Sequence, residues 1–194
     1  MLVDNLSDKK DHFITLLKST KRDGIDELIK WLEESDFFYC PASARFHGSY
    51  RGGLLEHSLN VCYELKRITE AYPEIQTTED SIILVSLLHD VCKANLYVTE
   101  KRNRKNEETG RWESYDAYTY NEKFCYGGHG SKSVYIVQKF IDLTPDEAVA
   151  INCHMGAYSE DPKSVGKAYE QRPFAWALHV ADEAACYIKE VDRV

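Results

Sequence analysis

The chain of 194 residues has no long uninterrupted apolar run. Its most apolar stretch, Ser81 to Leu88, falls well short of the roughly 20 residues that a helix needs to cross a bilayer. The amino-terminal segment MLVDNLSDKKDHF shows neither an apolar block nor a cleavage-site pattern, so no secretory leader is expected. There is no C-x-x-C pair. Cys40, Cys62, Cys92, Cys125, Cys153 and Cys186 sit one per segment, which leads to the expectation of reduced core thiols in a cytoplasmic protein. A cysteine-type zinc site is not expected without paired spacing. Positive charge is not in excess: 24 basic residues against 32 acidic ones leave a net charge of −8. That balance disfavours tight, non-specific binding to long nucleic acid, although a local cationic site can still hold a small phosphorylated ligand. No internal repeat, low-complexity tract or linker is present, so one domain spanning 1–194 is expected, with the segment 1–44 packing on a core at 45–190.

What is there reads as a folded helical protein. Apolar residues make up 43% and charged residues 29%, a globular balance. Apolar spacing predicts helices over Ser7 to Leu17 and Ile25 to Glu34, broken by Lys21 to Gly24. An irregular stretch ends in the breaker pair Gly52-Gly53. A long helix is expected from Leu54 to Ala71, where Pro73 stops it. The next helix, Glu79 to Lys93, is apolar nearly all round, which places it at the centre of a bundle. Residues 95–124 change character and predict an inserted β-hairpin with a charged tip at Gly110. Trp112, Tyr118 and Tyr120 share one face of it, either as a base-stacking surface or as cross-strand support. Helical patterning returns at Gly130 and runs on to Leu143. Thr144, Pro145 and Glu147 then form a strong helix start, and that helix extends to about Met155. A loop is expected next, and then a last helix from Pro173 to Ile188. The fold class is mainly α, with one hairpin.

The chemistry lies in where histidines and acids fall on these elements. His57 lies on the first long helix, and His89 and Asp90 end the central one. His129 begins the next, His154 closes the helix started by Thr144, and Asp182 lies inside the last. A buried carboxylate beside apolar residues is costly unless a cation meets it. Four imidazoles and two carboxylates converging in a bundle are metal ligands by type and number, and imidazole-rich ligation favours Mn, Fe, Co, Ni or Zn.

The order His, His-Asp, His, His, Asp resembles the HD superfamily of metal-dependent phosphohydrolases. The segments HGSYRGGLLEH, LLHDVCK, GHGSKSV, INCHMG and LHVADEA are similar to its successive motifs. The likeness covers about Arg45 to Ile188 and is greatest to the HD domain of YhaM-type bacterial 3′-5′ exoribonucleases. Two positions depart from the pattern: Cys92 stands where a glycine is usual, and Met155 follows His154 where a second histidine often stands. The resemblance implies a first ion on His57, His89, Asp90 and Asp182. Asp90 would bridge to a second ion on His129 and His154. It further implies a metal-bound hydroxide that cleaves a phosphoester. Lys93 and Arg51 are then candidates for contact with the substrate phosphate, and His179 for support behind the ligands. The expected partner is a small phosphorylated, nucleotide-like substrate, with no membrane. An exoribonuclease-like nuclease is one alternative, and the acidic charge weighs against it. HD-fold di-iron oxygenases share the six-ligand pattern and are another. A non-catalytic signalling module would be expected to have lost ligands, and none is lost.

Overall fold

The computed structural model describes residues 6–124, 127–159 and 161–191. The chain enters through α1 (Leu6–Ser19) and α2 (Ile25–Glu34). Next come α3 (Gly53–Ala71), α4 (Glu79–Leu88) and a 3₁₀ turn at Val91–Lys93. Strands β1 (Tyr97–Lys105) and β2 (Trp112–Tyr120) pair antiparallel, Tyr97 opposite Tyr120 and Lys105 opposite Trp112. The remainder is α5 (His129–Val137), α6 (Pro145–Cys153), a 3₁₀ turn at Gly156–Tyr158, α7 (Pro162–Gln171) and α8 (Pro173–Ala184). A π-helical turn, Ala185–Lys189, follows directly. The result is a helical bundle with an inserted hairpin, as the apolar patterning predicts.

The absence of a polar face on α4 explains its place. Ile83, Leu84, Leu87 and Leu88 belong to a cluster with Phe13, Leu17, Leu28, Phe37 and Phe38. Ile82 and Val85 belong to a second cluster with Val61, Leu65, Ala150, Phe174 and Leu178. Each of these α4 side chains contributes about 1.5–3 kcal/mol by leaving water, so the helix is held from both sides. Two devices fix its neighbours. The hydroxyl of Thr144 accepts from Glu147 N at 3.2 Å while the Glu147 carboxylate accepts from Thr144 N at 2.8 Å, a reciprocal cap on α6. The same buried carboxylate accepts from Ser81 Oγ at 2.7 Å and pairs with Arg22, tying α4 and the α1–α2 turn to α6. The second device is Gly130, where an added Cβ would stand 2.2 Å from the Asn152 carbonyl oxygen. Only glycine lets α5 approach α6 this closely.

The structure departs from the sequence expectation in four places. The central helix stops at Leu88 rather than Lys93, because Asp90 leaves helical dihedrals and the chain tightens into the 3₁₀ turn. Helix α5 ends at Val137 and yields to turns before Thr144. The stretch expected as a loop holds α7, which buries only Val165 but starts on Pro162 and packs on α8. The last helix turns π-helical after Ala184. Cys40, Cys62, Cys92 and Cys153 are buried free thiols and Cys186 is half-buried, whereas Cys125 lies outside the described residues. In the hairpin, Tyr118 and Tyr120 pack on Tyr97, with ring centroids 6.4 and 5.6 Å away, which is cross-strand support. Trp112, 73% exposed, stands out near the tip.

Candidate metal centre

Two of the candidate histidines are placed by the same local device. His89 is the residue at which α4 ends, and His154 is the one at which α6 ends. Each turns Nδ1–H back to a carbonyl of its own last turn: His89 to Ser86 O at 2.8 Å and His154 to Ile151 O at 2.7 Å. A helix end leaves such carbonyls without intrahelical donors, so the imidazole both caps the helix and has its tautomer fixed. Nε2 then carries the lone pair, and it points inward. His57 reaches the same tautomer by another route. From inside α3 its Nδ1 faces the Glu190 carboxylate, at 3.1 and 3.2 Å from the two oxygens.

Around these nitrogens the six predicted residues come together. His57 Nε2 lies 3.2 Å from His89 Nε2, 3.2 Å from Asp182 Oδ1 and 3.7 Å from Asp90 Oδ2. His89 Nε2 lies 3.4 Å from Asp90 Oδ2, and His154 Nε2 lies 3.5 Å from Asp90 Oδ1. Ligand atoms of His57, His89 and Asp90 all fall within 4.8 Å of one another. The same holds for His89, His154 and Asp182, and for Asp90, Cys92 and His129. His57, His89 and His154 are fully buried and Asp90 nearly so. The cluster meets solvent at Asp182, whose side chain is 15% exposed, and at the half-buried His129.

The donor inventory shows what this arrangement lacks. Neutral imidazoles of this tautomer and ionised carboxylates all present lone pairs to a common interior. Asp90 Oδ1 and His154 Nε2 are buried with no hydrogen-bond partner. Such groups are costly unless a cation or proton sits between them. In the metal-free protein protons fill part of that role. Burial would lower His57, but hydrogen bonds to Asp182 and Glu190 raise it to about 9. Burial would likewise lower His154, but Asp90 outweighs it and raises the group. For Asp90, burial pushes the carboxyl up, and Lys93, His89 and His154 pull it well below the usual carboxylate range. His129 is lowered, mainly by burial, and so stays neutral. A nitrogen-and-oxygen set with this many imidazoles fits divalent transition ions rather than Ca or Mg.

The remaining predicted residues divide. Lys93 is buried and places Nζ 2.5 Å from Asp90 Oδ2, so its nearest charge is the carboxylate rather than His89. Arg51 is exposed, its guanidinium stacked 4.7 Å over the Tyr39 ring. His179 stands behind the cluster, its Nδ1 donating to the His154 carbonyl at 2.7 Å. Sequence reasoning missed Glu190. In an unbroken α-helix the face of Asp182 returns at Lys189, seven residues on. The π turn inserts one residue and passes that face to Glu190, and α-helical spacing carries no signal of this. His47 was noted within its motif without a role. Its ring lies 5.0 Å from that of His57, and its Nε2 is buried and unpartnered.

The chain is 27% identical over 157 residues to the dihydroneopterin 2′,3′-cyclic phosphate phosphodiesterase of Methanocaldococcus jannaschii. The match takes in 78% of this chain, and the chain spans about half, 53%, of that relative's length. No family model matches the chain, and no solved structure matches it.

Proposed function

We propose that the chain is an HD-type metal-dependent phosphohydrolase that cleaves a phosphoester of a small, nucleotide-like substrate. Two divalent transition ions (Mn, Fe, Co, Ni or Zn) are assigned to His57, His89, Asp90, His129, His154 and Asp182. The observation that carries the reading is the buried, unpartnered face-off of Asp90 Oδ1 and His154 Nε2. It calls for a cation where the motif order also places one. The archaeal relative, named for its action on a cyclic phosphate diester, supports phosphoester chemistry.

When bound, such a pair of ions lowers the pKa of a coordinated water and withdraws charge from phosphoryl oxygens. The protein's own groups prepare that chemistry. Asp90 faces His57 and His89 with Oδ2 and His154 with Oδ1, the disposition of a carboxylate shared between two ions. Lys93 holds Asp90 ionised and carries further N–H donors for a phosphoryl oxygen. Glu190, itself held by Asn60 Nδ2 at 3.0 Å, fixes the His57 ring, and His179 fixes the backbone of His154. Arg51 is the second cation assigned to the substrate phosphate. The net charge of −8 favours a short ligand over a long polyanion.

The test is hydrolysis with added Mn, Co or Ni. It compares nucleoside mono- and triphosphates, 3′,5′- and 2′,3′-cyclic phosphates, dinucleotides and a short single-stranded RNA. Turnover of small phosphoesters supports the proposal. Processive shortening of RNA with small nucleotides untouched would overturn it in favour of an exoribonuclease. Metal-dependent oxygen uptake without phosphate release would do so in favour of an oxygenase.

A further inference from the structure

A second group of donors lies on the Nδ1 side of His57. Ligand atoms of His47, Cys186 and Glu190 lie, with His57, within 4.8 Å of one another. Two distant pieces of chain supply them. His47 comes from the loop before α3, where Gly48 has φ +59° and its carbonyl accepts from Ala42 N at 2.9 Å. An added Cβ at Gly53 would stand 2.0 Å from the Gly48 oxygen, so the loop is pressed onto the start of α3. Cys186 and Glu190 come from the π turn and the residue after it. Four residues apart, the two share one side of that turn.

We propose that His47, Cys186 and Glu190 form an auxiliary metal site, separate from the His/Asp centre, that takes a thiophilic divalent ion of the zinc class. His47 Nε2 is buried with no partner, which a ligand role would explain. Glu190 has an oxygen to give. Asn60 holds Oε1, and His57 Nδ1 reaches both oxygens at 3.1 and 3.2 Å, so Oε2 can turn to an ion without releasing His57. Cys186 Sγ sits 3.6 Å from Asp182 Oδ1, and the residue is half-buried, which leaves a path from solvent. Binding releases the thiol proton to solvent. A thiolate, a carboxylate and a neutral imidazole then balance a dication, with the fourth position open to water. The thiolate sets ion choice: Mn favours nitrogen and oxygen ligands and fills only the His/Asp centre, whereas Zn, Co and Cd also accept sulfur. Glu190 links the sites, since it would ligate the auxiliary ion while positioning His57 at the other.

The test uses full-length protein loaded with Mn and then titrated with Co. The proposal expects about one further equivalent of Co per chain, with a near-ultraviolet thiolate-to-cobalt charge-transfer band. Cys186→Ser and His47→Ala should each lose the band and the extra equivalent, while folded by circular dichroism. Cys92→Ser, altering the thiol beside His129, should keep both. The same titration after His129→Ala should keep the band, so failure of the two-ion reading would not imitate failure here. No band in the parent protein overturns the proposal. So does a band that survives Cys186→Ser, or one that survives His47→Ala, which would assign the thiolate to an ion of the His/Asp centre.

Discussion

Asp90 Oδ1 and His154 Nε2 face each other across 3.5 Å, both buried, and no hydrogen bond joins them. The Ile151 carbonyl holds the proton of His154 on the opposite ring nitrogen, and Lys93 keeps Asp90 ionised. A buried nitrogen and a buried carboxylate oxygen are therefore turned to one point, where two chain segments end their helices, and a cation there would satisfy both. Metal content follows from this. Protein expressed with added Mn is expected to carry close to two Mn ions per chain by elemental analysis. Finding none would remove the basis of the assigned centre.

Substitution should separate the two proposed ions. Asp90 is the one side chain assigned to both, so Asp90→Ala should abolish turnover and release at least one ion. His129→Ala should release the second ion and leave the first, because His129 shares a donor group with Asp90 and Cys92 but not with His57 or His89. Full activity in Asp90→Ala would contradict the bridging role at its centre.

Metal binding should depend on pH through His57. In the metal-free protein its pKa is raised to about 9, so the ring holds a proton at neutral pH that an ion must displace. Binding near pH 7 should expel about one proton from this residue, and apparent affinity should rise roughly tenfold per pH unit until the pH reaches that of the raised group, then level off. Calorimetry in two buffers of different ionisation enthalpy measures the proton count. Binding near pH 7 without proton release would contradict the assignment of His57.

Glu147 is expected to be a stability residue with no part in turnover. It is fully buried, pairs with Arg22, accepts from Ser81 Oγ and closes the cap on α6. Glu147→Ala leaves Arg22 and two donors without their partner and should cost about 3 kcal/mol in a denaturant titration. Thr144→Ala removes only the cap hydroxyl and should cost about 1 kcal/mol. Equal losses in the two variants would show that the Arg22 pair contributes little.

Gly130→Ala tests the close approach of α5 to α6. Its Cβ would meet the Asn152 carbonyl at 2.2 Å, and backbone cannot swing aside as a side chain would. A loss of about 1–3 kcal/mol is expected from overpacking, together with weakened retention of the second ion, since His129 precedes the displaced residue. Unchanged stability and unchanged metal content would mean that α5 is free to shift.

The hairpin and the helices other than α7 were legible in the sequence because apolar side chains with no other place to go dictate periodicity; α7 buries only Val165 and left no such pattern. The full apolar perimeter of α4, the breaker at Gly52-Gly53 and the Thr144 cap are local facts with local consequences. The order of histidines and acids was legible as well, since each ligand type keeps its chemistry wherever it lies. Tertiary structure decided how those side chains face one another. Whether Lys93 meets Asp90 or His89 depends on α4 stopping at Leu88, a difference of one turn that apolar spacing cannot resolve. Glu190 supports His57 only because a π turn inserts one residue into the register of α8. Cys186 has no paired cysteine to mark it as a candidate ligand. It meets His47 through a loop more than a hundred residues earlier, a contact that comes from packing and leaves no spacing in the chain to read.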